Sequence, residues 1–273
     1  MTNEELYSKI VDITKSAGGI ILKAHIDNDS VYDKEGYSNF VTKYDKEVQN
    51  HLISHFKDIL PEASYLAEED NVTSSLGNGY CFIIDPIDGT TNFIFDYKNS
   101  CISVALANCG KVEFAVVYLP YMDECYTAIQ GRGAYLNGKR IYASQEGLNK
   151  NVVAFGCARY NSDDTDRIFS LAKELYLSSL AIRNGGSSTI DLCRVASGRN
   201  GIYIELLLMP WDYAAASLII TEAGGVITQL GSEEITLDKP CGILAGGELC
   251  HNEAMKIIQS YTGVIDKMVW HKE

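Results

Sequence analysis

No stretch of the 273 residues is apolar for the length that a bilayer-spanning helix needs, so no membrane span is expected. The start, Met1-Thr2-Asn3-Glu4-Glu5, is polar and acidic rather than hydrophobic, which predicts no signal peptide and a cytoplasmic protein. The eight cysteines contain no Cys-x-x-Cys pair, and most sit in apolar runs. They read as reduced core residues, not as a zinc site or a disulfide frame. Basic charge is scarce: 23 Lys and Arg face 36 Asp and Glu, giving a net charge of −13 with no basic cluster. Nucleic acid is therefore not an expected partner. Gly-x-Ser-x-Gly, internal repeats and low-complexity tracts are all missing. His51 and His55 share a helical face, but no third zinc ligand accompanies them.

What the chain does have is a large apolar fraction, 46%, arranged with clear periodicity. Helical spacing predicts helices over 4–25, 45–60, 163–178, 187–197, 212–223 and 248–260. Strands are expected at 63–67, 80–85, 101–107, 112–119, 125–129, 151–155, 202–205, 225–229 and 241–245. Asn137-Gly138 signals a type I′ hairpin turn, and Gly224-Gly225 reads as the end of a helix. No composition break marks a linker. A single domain over 1–273 is expected, with helices and sheets in layers, of α+β (α/β layered) class.

The segment Ile83-Ile84-Asp85-Pro86-Ile87-Asp88-Gly89-Thr90-Thr91-Asn92-Phe93 is the richest in chemistry. A buried strand ends on one carboxylate, a second follows three residues later, and Gly-Thr-Thr comes next. Hard divalent cations take oxygen ligands, and a helix starting at Gly-Thr-Thr would aim backbone N–H groups at an anion. Alone, Asp-Pro-x-Asp-Gly also describes an ordinary turn. An EF-hand does not fit, because Ile87 and Gly89 fall on ligand positions. An aspartyl-phosphate loop, Asp-x-Asp-x-Thr, does not fit either, because Pro86 stands at its first Asp. Water held by metal remains the better nucleophile.

Other acids stand at the ends of secondary elements elsewhere: Asp45 and Asp212 open helices, Glu68-Glu69-Asp70 follows a short strand, and Glu205 ends one. Each also has a structural explanation. Asp45 and Asp212 suit the first turn of a helix, where the dipole favours a negative charge. Acids at the ends of separate elements are nonetheless how α/β enzymes assemble a site in a crevice.

The sequence resembles the inositol monophosphatase family of Mg²⁺-dependent, lithium-sensitive phosphatases over nearly its whole length. Asp85 to Phe93 matches one signature, and Trp211-Asp212-Tyr213-Ala214-Ala215-Ala216 through Gly225 matches a second. Glu68-Glu69 and Gly131 to Gly138 match two further segments in order. The resemblance implies an αβαβα five-layer sandwich, usually a homodimer, hydrolysing a small phosphate ester. It implies two or three Mg²⁺ ions. Glu68, Asp85 and the Ile87 carbonyl would hold one, and Asp85, Asp88 and Asp212 a second. A third would rest on Glu68 and waters. Gly89, Thr90 and Thr91 would cradle phosphate. Glu68 and Thr90 would activate water, with Asp45 as the partner of Thr90 and Lys34 nearby. Gly186, Ser188 and Glu205, with Asp212, would meet the substrate. Glu205 leans toward inositol monophosphate or a similar polyol phosphate, because a carboxylate accepts hydroxyl hydrogen bonds. Nucleotide substrates (3′-phosphoadenosine or NADP) and fructose 1,6-bisphosphate are the alternatives within the superfamily. A catalytically silent metal- or phosphate-binding module is a further one. Asp70 and the apolar run Leu206-Leu207-Leu208-Met209-Pro210 depart from the family pattern.

Overall fold

A computed structural model describes residues 2–26, 30–33, 40–69, 76–157, 165–232 and 234–260. Helix α1 (Asn3–Lys23) opens on a capping box in which Thr2 and Glu5 bond each other's backbone, and it buries Leu6, Ile10, Ala17 and Ile21. Strands β1 (Val31–Asp33) and β2 (Phe40–Thr42) pair antiparallel. Helix α2 (Lys43–Ile59) follows, with Thr42 and Asp45 as a second capping box and Val48, Leu52 and Phe56 buried.

The first large sheet begins with β3 (Ser64–Ala67), parallel to β4 (Tyr80–Asp88). The short helix α3 (Thr90–Ile94) then leads into an antiparallel meander. Its strands are β5 (Cys101–Asn108), β6 (Lys111–Leu119), β7 (Glu124–Ile129), β8 (Gly133–Leu136) and β9 (Lys139–Arg140). Asn137 and Gly138 both take positive φ, 48° and 75°, as the expected I′ turn requires.

The second sheet has the order β11-β10-β12-β14-β13. It is built from β10 (Val152–Phe155), β11 (Ala181–Arg183), β12 (Ile202–Leu208), β13 (Gly225–Gln229) and β14 (Cys241–Gly247). The connecting helices are α4 (Thr165–Leu177), α5 (Ser188–Ala196) and α6 (Pro210–Glu222), with α7 (Glu248–Ser260) after the last strand. Strand β10 is parallel to β11 and β12, and β14 is antiparallel to its neighbours.

Alternation along the strands sorts the core into layers. Phe82, Ile84, Ile102 and Val104 pack on α1 and α2, while Ile83 and Ala105 point the other way. There they meet Ile190, Ala214, Ala215 and Ile219 of α5 and α6, which also contact Tyr203, Ile243 and Ala245 of the second sheet. The outer face of that sheet is covered by Ile168 and Leu171 of α4 and by Cys250 and Ala254 of α7. The result is helix, sheet, helix, sheet, helix: the expected five layers. Helix α6 is apolar all round because a sheet covers it on each side. Among the described residues, no helix is long and apolar enough to cross a membrane.

The long periodic segments lie where expected. Strands β1, β2 and β11 have three residues each, too few to show a period, and sequence reading misses them. Two expected strands, 80–85 and 202–205, run three residues further, to Asp88 and Leu208. Both extensions lie at the candidate site.

Candidate active site

Asp85 pairs with Ser103 and Asp88 with Cys101, so three steps on β4 oppose two on β5. The extra residue is a bulge. In an unbroken strand positions 85 and 88 would face opposite sides, and the bulge brings both carboxylates to the side of α5 and α6. Strand β12 repeats the device, with Glu205 opposite Ile243 and Leu208 opposite Cys241. Strand β4 is parallel to β3, and β12 to β10, and each bulge lies at the carboxyl end of its strand. That is where α/β sheets open a ligand crevice.

Three helix amino ends reach the same crevice. Gly89 caps α3, with φ of 87°. A side chain there would press on the Asn99 carbonyl and on Ser187 at 3.0 and 3.1 Å, so only glycine fits the conformation and the space. Ser187 caps α5 and gives its hydroxyl to Asp88 at 2.5 Å, while the Thr189 N–H donates to the same carboxylate at 2.8 Å. Helix α6 starts with Pro210, and Asp212 accepts the Met209 N–H at 2.8 Å. The Thr189 hydroxyl donates to the Asp212 carbonyl at 2.8 Å and ties α5 to α6.

These constraints bring Asp85, Asp88 and Asp212 together, with one carboxylate oxygen from each within 4.8 Å of the others. Each aspartate commits an oxygen to anchoring. Asp85 Oδ1 accepts the Ile87 N–H at 3.0 Å, Asp88 Oδ2 accepts Ser187 and Thr189, and Asp212 Oδ2 accepts Met209. Among the described residues, the second oxygen of each remains for a ligand, with the Ser188 hydroxyl near Asp88 Oδ1 at 3.5 Å. Burial raises the pKa of all three carboxyls. Repulsion from Glu68 adds to each, and Asp88 adds to Asp85 and Asp212. A cluster that resists its own negative charge is stabilised by a cation. An all-oxygen donor set of this kind suits a hard divalent ion, so the residues present fit a metal of the Mg²⁺ class.

The other expected residues surround this cluster. Glu68, half-buried just past β3, lies outside the closest set of oxygens, yet its charge acts on Asp45, Asp85, Asp88 and Asp212. Its neighbour Glu69 is buried, and Gln49 clamps its backbone, accepting from the N–H at 3.0 Å and donating to the carbonyl at 2.9 Å. The Thr90 hydroxyl donates to the Ile87 carbonyl at 3.1 Å. The expected bond between Thr90 and Asp45 is not made here. Asp45 Oδ2 instead accepts the Thr42 N–H and hydroxyl, and its buried Oδ1 has no hydrogen-bond partner among the described residues. Burial is the main cause that lifts the Asp45 carboxyl to about 7.

Thr91 is exposed on the first turn of α3, beside Gly89 and Thr90. Gly186, with φ of 70°, packs against the Asn92 amide, which donates to the carbonyls of Asn99 and Gly185 at 2.8 Å. Ser188 opens α5, and Glu205 is buried at the β12 bulge. Lys34 and Asp70 lie outside the described residues. Ser187, Thr189, Gln49 and Asn92 are the functional supports that sequence reading misses. Only Ser187, as a hydroxyl residue before an apolar helix, carries a readable signal.

Ser187 does two things, since it also accepts the Ile190 N–H at 3.3 Å. Ser187→Ala should therefore destabilise by about 1 kcal/mol, the usual loss of a helix cap, seen as a melting midpoint about 2–4 °C lower. An unchanged midpoint would remove Ser187 from this role.

Asp85 and Asp88 at the end of β4 and Asp212 in the first turn of α6 thus form an acid cluster that could hold a metal ion, beside three helix amino termini. The chain belongs to the inositol monophosphatase family, whose sequence model matches residues 2–262. It is a phosphatase of that family. The inositol monophosphatase of Dictyostelium discoideum is 31% identical, covering 98% of this chain and 95% of its own. The fructose-1,6-bisphosphatase/inositol-1-monophosphatase of Aquifex aeolicus is also 31% identical, over 97% of this chain and 99% of its own. The Nus factor SuhB of Pseudomonas aeruginosa is 32% identical over 90% and 93% respectively. Among solved structures, the Thermotoga maritima IMPase superposes with a TM-score of 0.86 at 28% identity, covering 97% of this chain and all of that one.

Proposed function

We propose that this chain is a Mg²⁺-dependent phosphomonoesterase acting on inositol monophosphate or a similar polyol phosphate. The observation that carries the reading is the clustered trio Asp85, Asp88 and Asp212, each with one oxygen anchored by a hydrogen bond. Glu68, Asp85 and the Ile87 carbonyl would hold one ion; Asp85, Asp88 and Asp212 a second; Glu68 and waters a third. Bound Mg²⁺ supplies Lewis acidity and makes hydroxide available near neutral pH.

The chain's own groups do the rest. Gly89, Thr90 and Thr91 offer the N–H groups of the first turn of α3 to the phosphoryl oxygens. Glu68 takes the proton of the attacking water, and Thr90, positioned through the Ile87 carbonyl, orients that water. Gly186, Ser188, Glu205 and Asp212 fix the alcohol side of the ester, so attack and departure lie in line. The same reading makes the chain a single domain over 1–273. Its cytoplasmic location is an expectation from the sequence, and its homodimeric state and lithium sensitivity rest on family resemblance.

The bifunctional name of the Aquifex relative favours fructose 1,6-bisphosphate as the second reading. Phosphate release from a panel of polyol, sugar-bisphosphate and nucleotide esters, with and without Mg²⁺ and with added lithium, tests both. The highest kcat/KM is expected on a polyol monophosphate. Higher values on bisphosphates would move the assignment to the second reading, and no Mg²⁺-dependent release from any ester would end both.

A further inference from the structure

Tyr203 and Glu205 stand two residues apart on β12 and face the same side of the sheet, toward α5 and α6. Tyr203 is only 1% exposed, and its hydroxyl donates to Glu205 Oε2. Burial and the adjacent Glu205 charge hold the phenol in its protonated form, so Tyr203 acts as the donor. Gly156 lies against both groups. A methyl there would overlap the Glu205 carboxylate and the Tyr203 hydroxyl. Gly156 is itself pinned, because its N–H donates to the Ile204 carbonyl at 2.9 Å. Glu205 lies near enough to Asp212 for its charge to act on that carboxyl.

A phenol buried only for packing would serve as well without its hydroxyl. Desolvating a hydroxyl and a carboxylate to pair them yields little net stability. The pair therefore calls for a role in fixing where the carboxylate points. At a sheet bulge, where the backbone leaves its regular pleat, a long Glu side chain has several rotamers available. The Tyr203 hydroxyl selects one, and the absence of a side chain at Gly156 leaves room for it.

We propose that Tyr203 is a positioning residue for substrate specificity, holding the Glu205 carboxylate beside Asp212 where it accepts hydroxyl hydrogen bonds from the polyol part of the ester, with Gly156 keeping the space open. The proposal rests on the reading of the substrate as a polyol phosphate.

The test is steady-state kinetics at saturating Mg²⁺ on two esters, inositol 1-phosphate and p-nitrophenyl phosphate, which has no hydroxyl to bind. Tyr203→Phe should raise KM for the inositol ester about tenfold, with kcat held within about twofold. On the aryl ester both constants should stay at wild-type values, as should the Mg²⁺ concentration for half-maximal rate. Gly156→Ala, which keeps the tyrosine, should show the same split between esters, and it decides the matter if the phenylalanine variant does not fold. Equal losses on both esters, or an unchanged KM for the inositol ester in a folded variant, would overturn the proposal. A wild-type enzyme that cleaves the aryl ester but no polyol ester would overturn the substrate reading itself, and this inference with it.

Discussion

Asp212→Asn is expected to lower kcat by about 10²–10³-fold, the range found when one preorganised electrostatic group is removed from a site. The Mg²⁺ needed for half-maximal rate should rise by roughly tenfold or more. The reason is geometric. Asp212 sits in the first turn of α6 and meets Asp85 and Asp88 across the crevice with oxygens within 4.8 Å. Asparagine keeps the amide oxygen that can accept the Met209 N–H, so the helix cap and the fold survive. What disappears is one negative charge. Without metal that charge is a burden, since burial and Asp88 both raise the Asp212 pKa. The variant should therefore melt at a higher temperature than the wild type in chelator, while losing activity. Kinetics against Mg²⁺ concentration and melting curves in chelator measure the two effects. Wild-type kinetics with an ordinary Mg²⁺ dependence would take Asp212 out of the metal site.

The second large effect is an inverted pH dependence of stability. In the metal-stripped protein the carboxyls of Asp45, Asp85, Asp88 and Asp212 all have raised pKa values in the folded state, with burial the largest cause. The folded chain then binds more protons than the unfolded chain at intermediate pH, so stability falls as pH rises. For Asp45 the loss runs from the ordinary aspartate value near 3.8 up to about 7. Each such group contributes a slope of up to about 1.4 kcal/mol per pH unit within its window. Metal-free protein should accordingly melt at a higher temperature at pH 5.5 than at pH 8. Mg²⁺ held by this cluster would take the ionised carboxylates and displace their protons, so its stabilising effect should be larger at pH 8. Melting curves across this range, with chelator and with Mg²⁺, separate the two cases. A metal-free midpoint that stays flat or climbs with pH would contradict the clustering of these acids.

Much of this was legible in the chain. Apolar residues at helical and strand spacing located the long elements, because burial of one face is written locally as a period. Asn137-Gly138 and Gly224 marked a hairpin and a helix end through their own backbone preferences. Asp85-Pro86-Ile87-Asp88-Gly89-Thr90-Thr91 marked two acids at one strand end, which the structure brings together with Asp212. Position alone reads Asp45 and Asp212 as helix-start acids, which they also are: Asp45 accepts the Thr42 N–H and Asp212 the Met209 N–H; their expected roles at a site came from the family resemblance.

The chain by itself therefore determined the long helices and strands and the acids at their ends, since these depend on local pattern and residue type, while the five layers and the ligand set were expected from the family resemblance. Tertiary structure decided which of those ligands meet. The bulges at Asp85–Asp88 and Glu205–Leu208 reverse the facing that a regular strand would give, and they appear only in the pairing with β5 and β14. The clamp of Gln49 on Glu69, the grip of Ser187 and Thr189 on Asp88, and the Tyr203–Glu205 pair span up to 101 residues of sequence or depend on that altered strand. Contacts of that kind leave no period in the sequence, because they are fixed by how whole layers pack rather than by the preferences of neighbouring residues.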